Sequence, residues 1–227
     1  MRVRFPSPAL DRRAPGVDPG RGGCHGAGVD EHGRRVLAAL AVSGVLMQHD
    51  RVLPSATAAV AGEPVAGSWW SHPMAHEIFG ALNDLDDEGH VLRARLVAGK
   101  QTLVGRTLWP ALVAVGRERA AWQLDGVEPG AVALLDEVDA VDASSAPLLL
   151  DGGTRAAGKV LEGRLLVHVV EVHLPTGRHA KALQSWSHLA AERGITVLPD
   201  PAAGRRSLAA AISMWGDPAR LLPWPPP

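Results

Sequence analysis

The sequence predicts an α+β fold, mainly helical, on three observations. Apolar residues recur at helical spacing through three stretches, 30–43, 55–61 and 72–85. The period then changes to two, because Val91 to Val97 sets Leu92, Ala94 and Leu96 against Val91, Arg93, Arg95 and Val97. Ala98-Gly99-Lys100 turns the chain and Gln101 to Gly105 returns, before Leu108-Trp109-Pro110 opens another helix. Three helices followed by a hairpin is the order of a winged helix-turn-helix.

Each element carries its own local signals. Asp30 is placed to cap a helix with Val36, Leu37, Leu40 and Ala41 on one face, and Gly44 is placed to stop it. Ser55 to Ala61 reads as a short second helix. His72 to Leu85 reads as a third, with Pro73 in its first turn and Met74, Ile78, Phe79, Leu82 and Leu85 as the buried stripe. Farther on, Gly130 to Val141 and Asp151 to Gly163 read as helices, Leu165 to Leu174 as a strand, Pro175-Thr176-Gly177 as a turn and His179 to Arg193 as a long helix. A strand, a Gly-basic turn and then a Trp occur twice, ending at Trp109 and Trp186, the pattern a duplication leaves. The expected organisation is a disordered segment over 1–30, a winged-helix domain over 31–122, a second winged-helix-like domain over 123–215, and an extended Pro-rich tail over 216–227.

Composition bounds the function. The 227 residues are 46% hydrophobic, enough to bury a core, and the formal net charge is −1. Polyanion binding therefore needs a local patch. Between Val91 and Arg119 six basic residues, Arg93, Arg95, Lys100, Arg106, Arg117 and Arg119, face one acid, Glu118. The lone Cys24 excludes an internal disulfide and a cysteine metal cage, and fits a reducing compartment. Arg34-Arg35 before an apolar stretch resembles an export signal, but the polar prefix and the charged break at Gln48 to Arg51 oppose it. The expected location is cytoplasmic, with no membrane partner, since no run reaches the roughly 18 apolar residues of a membrane-spanning helix.

A winged helix sets one helix in the major groove and its hairpin against the backbone. That assigns DNA contacts to His72, His76 and the hairpin residues Arg93, Arg95, Lys100 and Arg106, whose cations neutralise phosphates. Base reading falls to His76, Asn83 or Gln101, while the acidic run from Asp84 to Glu88 repels phosphate. Shape- or damage-directed binding is favoured over sequence reading. Trp69 and Trp70 precede the third helix, where they either stack on an unpaired base or fill the hinge between helices. His72 and His76 have the spacing of two zinc ligands, but His168, Glu171, His173 and His179 do not converge to complete a site, so no metal is expected. No hydrolase elbow, Walker loop or dinucleotide fingerprint lies in the ordered region, and no cofactor is expected.

Gln48-His49-Asp50 and Trp70-Ser71-His72 resemble motifs of bacterial DNA glycosylases built from tandem winged helices, which excise alkylated or crosslinked bases. The set Ser-Trp-Trp-x-His-Pro, Gly99-Lys100 and Leu108-Trp109-Pro110 resembles an uncharacterised bacterial family related to them. The likeness covers residues 30 to about 193, though this chain is shorter and its spacing from Gln48 to Trp70 is compressed. The resemblance implies that Asp50, helped by Gln48, orients the attacking water, while Trp69, Trp70 and His72 hold the extruded base. The alternatives are that Gln48 and Asp50 end a helix and cap a turn, and that the chain is a non-catalytic DNA-binding or protein-interaction module.

Overall fold

Asp30 Oδ1 accepts the Gly33 N–H at 2.6 Å and so starts helix α1, Glu31–Ser43, which Gly44 ends at φ 74°. The structure, a computed structural model, describes residues 29–174 and 178–225; the expectations for 1–28, Cys24 among them, for the 175–177 turn and for the last two prolines lie outside those residues. Strand β1, Val45–Met47, follows directly, where a helix end was expected to run into Gln48. Ser55 caps α2, Ala56–Ala61, and a 3-10 turn, Trp69–Ser71, leads to α3, Ala75–Asp87. Pro73 and His72 precede α3 rather than forming its first turn. Of the expected stripe Ile78, Leu82 and Leu85 are buried, but Phe79 is 45% exposed, a quarter turn away from the core.

Strands β2, Val91–Val97, and β3, Lys100–Gly105, form the hairpin, with Val97 opposite Lys100. Ala98 and Gly99 make its two-residue turn, both at positive φ, as the twist of a tight hairpin requires. Strand β1 pairs antiparallel with β3, so the sheet runs β1-β3-β2. Helix α4, Trp109–Gly116, is buried at every position but Pro110. Gly116 is obligatory there, because a Cβ would lie 2.4 Å from the Trp186 indole nitrogen.

The second half opens with a single turn, α5 (Ala121–Leu124), and α6, Pro129–Asp139. Strand β4, Leu148–Leu149, helix α7, Arg155–Gly163, and strands β5, His168–His173, and β6, His179–Gln184, follow. Their sheet runs β4-β6-β5, antiparallel throughout, which repeats the one-three-two order of the first. The long helix expected over 179–193 is thus half strand: only α8, Trp186–Arg193, is helical. His-Ala-Lys-Ala-Leu-Gln has good helix formers, yet pairing on both edges with Leu183 fully buried overrides that propensity.

Helices α9, Pro201–Ile212, and α10, Pro218–Leu221, complete the chain. The tail is not simply extended. Asp217 caps α10, Pro218 takes the first helical position where its missing N–H costs nothing, and Leu222 and Trp224 are buried. The largest apolar cluster joins Val45, Met47 and Leu92 of the first sheet to Leu112 of α4, Leu189 of α8, Leu208 of α9 and Trp224. It therefore crosses the boundary expected at 122. Smaller clusters lie under α1–α3 and between α6, α7 and β6. Among the described residues no helix is long and apolar enough to cross a membrane.

Candidate nucleic-acid interface

Gln48 and Asp50 lie in the turn after β1. The Gln48 backbone donates to Gln101 O at 2.8 Å and accepts from Thr57 N at 3.2 Å, which ties the turn to β3 and α2. Asp50 Oδ1 accepts the N–H groups of Val52 and Leu53 at 2.9 and 3.0 Å, and Oδ2 accepts from Lys100 Nζ at 2.8 Å. Burial alone would raise the carboxyl pKa, but the Lys100 ammonium and these N–H groups overcome it and lower the value to about 2. Both oxygens are occupied and the group is a weak base. His49, which carried no expectation, fastens the same loop through Thr57 Oγ1 at 3.0 Å and Gly67 O at 2.9 Å.

Trp69 and Trp70 stack at 4.0 Å between centroids, and Trp70 meets Phe79 at 5.4 Å. Trp69 packs on the cluster beneath α1–α3, which fits the hinge role, whereas Trp70 is 61% exposed. His72 Nδ1 accepts the Met74 N–H at 3.2 Å ahead of α3, and His76 is exposed on its first turn. Among the described residues no three His, Cys, Asp or Glu side chains are grouped to hold a metal.

The contiguous basic run does not form one open face. Arg93 donates to Leu82 O at 2.6 Å and lies 3.4 Å from Asp86. Arg95 Nε lies 3.0 Å from the buried Glu162, whose other oxygen accepts from Gln101 Nε2 at 2.7 Å. Lys100 is held by Asp50, and Arg106 donates to Gly89 O at 3.0 Å with its guanidinium over the Trp109 ring. Arg119 pairs with Asp139 and donates to Leu166 O. These side chains connect elements of the fold.

A different set of cations faces a groove of about 660 Å³ between the first hairpin, α7 and the second hairpin. Arg95 stands on one wall. Arg155 and Lys159, one turn apart on α7, and Arg178, His179 and Lys181, at the start of β6, make the others, with Glu162 at the floor. Arg155, Lys159, Arg178 and Lys181 are exposed, and none has an acidic partner within ion-pair distance among the described residues. His179 Nδ1 is 2.9 Å from Glu171. Gly158 lets α7 approach β4 this closely, since a Cβ there would meet the Leu150 side chain at 2.8 Å. The i, i+4 pair Arg155/Lys159 was visible in the sequence, and Arg178 closed the second Gly-basic turn; Lys181 was hidden by reading 179–193 as helix.

The groove is concave, lined on three sides by cations and closed to the rest of the first hairpin by the Arg95–Glu162–Gln101 bridge. Such an arrangement attracts multiply charged anions and offers point charges and forked guanidinium donors to phosphate oxygens. No protein family, curated protein or solved structure matches this chain.

Proposed function

We propose that this chain is a nucleic-acid-binding protein made of two winged-helix-like units, that it holds a phosphate backbone in the groove between them, and that Gln48 and Asp50 are not a hydrolytic centre. The observation that carries the reading is the convergence of Arg155, Lys159, Arg178 and Lys181 on one concavity without acidic partners. The order helix, strand, two helices and hairpin, with sheet order one-three-two, supports the winged-helix part, and the second unit repeats the sheet order with one helix instead of two between its first strand and its hairpin. The state of the Asp50 carboxylate supports the non-catalytic part: a group that already accepts two backbone N–H bonds and an ammonium has little basicity left to activate water.

The near-zero net charge fits local rather than global attraction, and the acidic residues from Asp84 to Glu88 at the end of α3 fit recognition of backbone and shape. Fluorescence anisotropy with duplex and single-stranded oligonucleotides over a salt series tests this. The parent should bind at low salt, and the double variant Arg155→Ala/Lys159→Ala should bind at least tenfold more weakly with a salt slope shallower by about 2, one phosphate contact per lost cation. Arg220→Ala, on an exposed side chain that is not part of the groove lining, serves as the control for loss of surface charge. Equal affinities and slopes for the parent and the double variant would remove the groove from the account. Abasic product from alkylated duplex, lost in Asp50→Asn, would restore a glycosylase.

A further inference from the structure

A second cavity, of about 420 Å³, opens on another part of the molecule, between α5, α9 and the C-terminal segment. It shares no lining residue with the basic groove. Its walls are the indoles of Trp122 and Trp224, set edge to face at 5.9 Å and 60°, together with Ala121 and Ala209, whose small side chains leave the space open. Arg205 and Arg206 supply the polar edge. Arg205 is held by both oxygens of Glu118, so its charge is largely spent. Arg206 is different. It is mostly exposed, and its only acidic neighbour among the described residues, Asp200 at 3.4 Å, is already occupied in capping the Ala202 and Ala203 N–H groups of α9.

One further feature sets this cavity apart from a packing gap. Its Trp122 wall is fixed from behind: Arg164 donates to the Trp122 carbonyl at 2.6 Å, and the buried Gln123 amide donates to the Arg164 and Leu165 carbonyls at 3.3 Å. The cavity is therefore held open by a hydrogen-bonded frame rather than by loosely packed side chains. Its size falls within the roughly 300–1,000 Å³ of small-molecule sites, and mostly apolar walls with a few placed polar groups are how such sites are built.

We infer that this cavity binds a small aromatic carboxylic acid. A flat ring fits against the two indoles, and the carboxylate meets the Arg206 guanidinium. Among the described residues Asp200 takes one nitrogen of Arg206, and the remaining guanidinium donors favour an anion over a neutral or cationic ligand of the same shape.

The test is an NMR titration of the full chain, reading the indole N–H signals of its seven tryptophans. Indole-3-acetate is the probe and indole-3-ethanol, its neutral analogue, the comparison. The site predicts saturable shifts of the Trp122 and Trp224 signals, with the acid bound on the order of tenfold more tightly than the alcohol. Arg206→Ala, at an exposed position, should abolish that preference while leaving the spectrum otherwise intact. Ala209→Leu should fill the cavity and suppress the shifts with both compounds. Absence of saturable shifts at these two indoles, or equal affinity for acid and alcohol in the parent, overturns the assignment. Neither result depends on whether the basic groove binds nucleic acid.

Discussion

Asp50 and Lys100 are fifty residues apart in the chain and 2.8 Å apart in space, joining the turn after β1 to the tip of the β2–β3 hairpin. The lysine is 59% exposed, so the ion pair itself contributes little, and the two backbone N–H bonds to Oδ1 are the stronger part of the arrangement. Asp50→Ala should therefore cost about 1–2 kcal/mol in urea unfolding, with Asp50→Asn intermediate because its amide oxygen still caps the turn. The folded carboxyl pKa lies below the unfolded value of 3.8, so the contribution is complete above that pH and disappears as pH falls through about 2. A parent and alanine variant of equal stability at neutral pH would show that the cap is dispensable.

Arg93 provides the matching case on the other edge of the sheet. Its guanidinium bonds the Leu82 carbonyl and faces Asp86, whose carboxyl burial pushes up while Arg93 draws it down. Removing the arginine strips α3 of a tie to β2 and leaves a half-buried acid without its cation. Arg93→Ala should lower stability by about 1–2 kcal/mol, a fall in Tm of a few degrees, and should leave oligonucleotide affinity at the parent level. A large loss of affinity with an unchanged melting curve would return Arg93 to the interface.

That contrast explains what was legible in the sequence. Local signals identified the first unit well: Asp30, Gly44 and Ser55 mark helix ends by their own chemistry, and the change of period at Val91 marks the hairpin. Charge was misleading because proximity along the chain is not proximity in space. Arg93, Lys100 and Arg106 point to three different partners, whereas the groove draws Arg95, Lys159 and Lys181 from three separate elements. Two misread segments, His179–Gln184 and the tail, share a cause. Composition suggested helix in one and extended chain in the other, but cross-strand pairing and the burial of Trp224 against Trp122 decided both.

Ala98 occupies the first position of the hairpin turn at φ 50°, and Gly99 the second at φ 65°. Left-handed backbone costs an L-residue with a β-carbon about 1 kcal/mol, and Asn-Gly is the pair that tolerates it best. The Ala98 N–H, which donates to Leu221 O at 2.7 Å, survives substitution. Ala98→Asn should therefore stabilise the protein by about 0.5–1 kcal/mol, and Gly99→Ala should do the opposite. Chemical unfolding of the two variants beside the parent checks both signs, and a destabilised Ala98→Asn would mean that the side chain meets an obstacle the backbone does not reveal.

His168 is a buried titratable group on the second sheet. It lies on β5 opposite Gln184 with its ring 5.6 Å from the Trp186 ring, and neither ring nitrogen has a hydrogen-bond partner among the described residues. Burial disfavours the imidazolium, the neighbouring Gln184 side chain opposes this only in part, and the repulsion of Arg193 is partly offset by Glu192, so the pKa is lowered from 6.5 to about 4. Between those values the unfolded chain takes up a proton that the folded chain refuses. Stability should be unaffected by this group above pH 6.5 and should decline as pH falls toward 4, by up to about 3 kcal/mol. The informative quantity is the difference between the parent and His168→Leu, which fills the site without a proton to gain. The variant should gain on the parent steadily as urea unfolding is moved from neutral pH toward pH 5. Parallel stability curves would show that water or a rearranged Gln184 reaches the imidazole and that its burial carries no penalty.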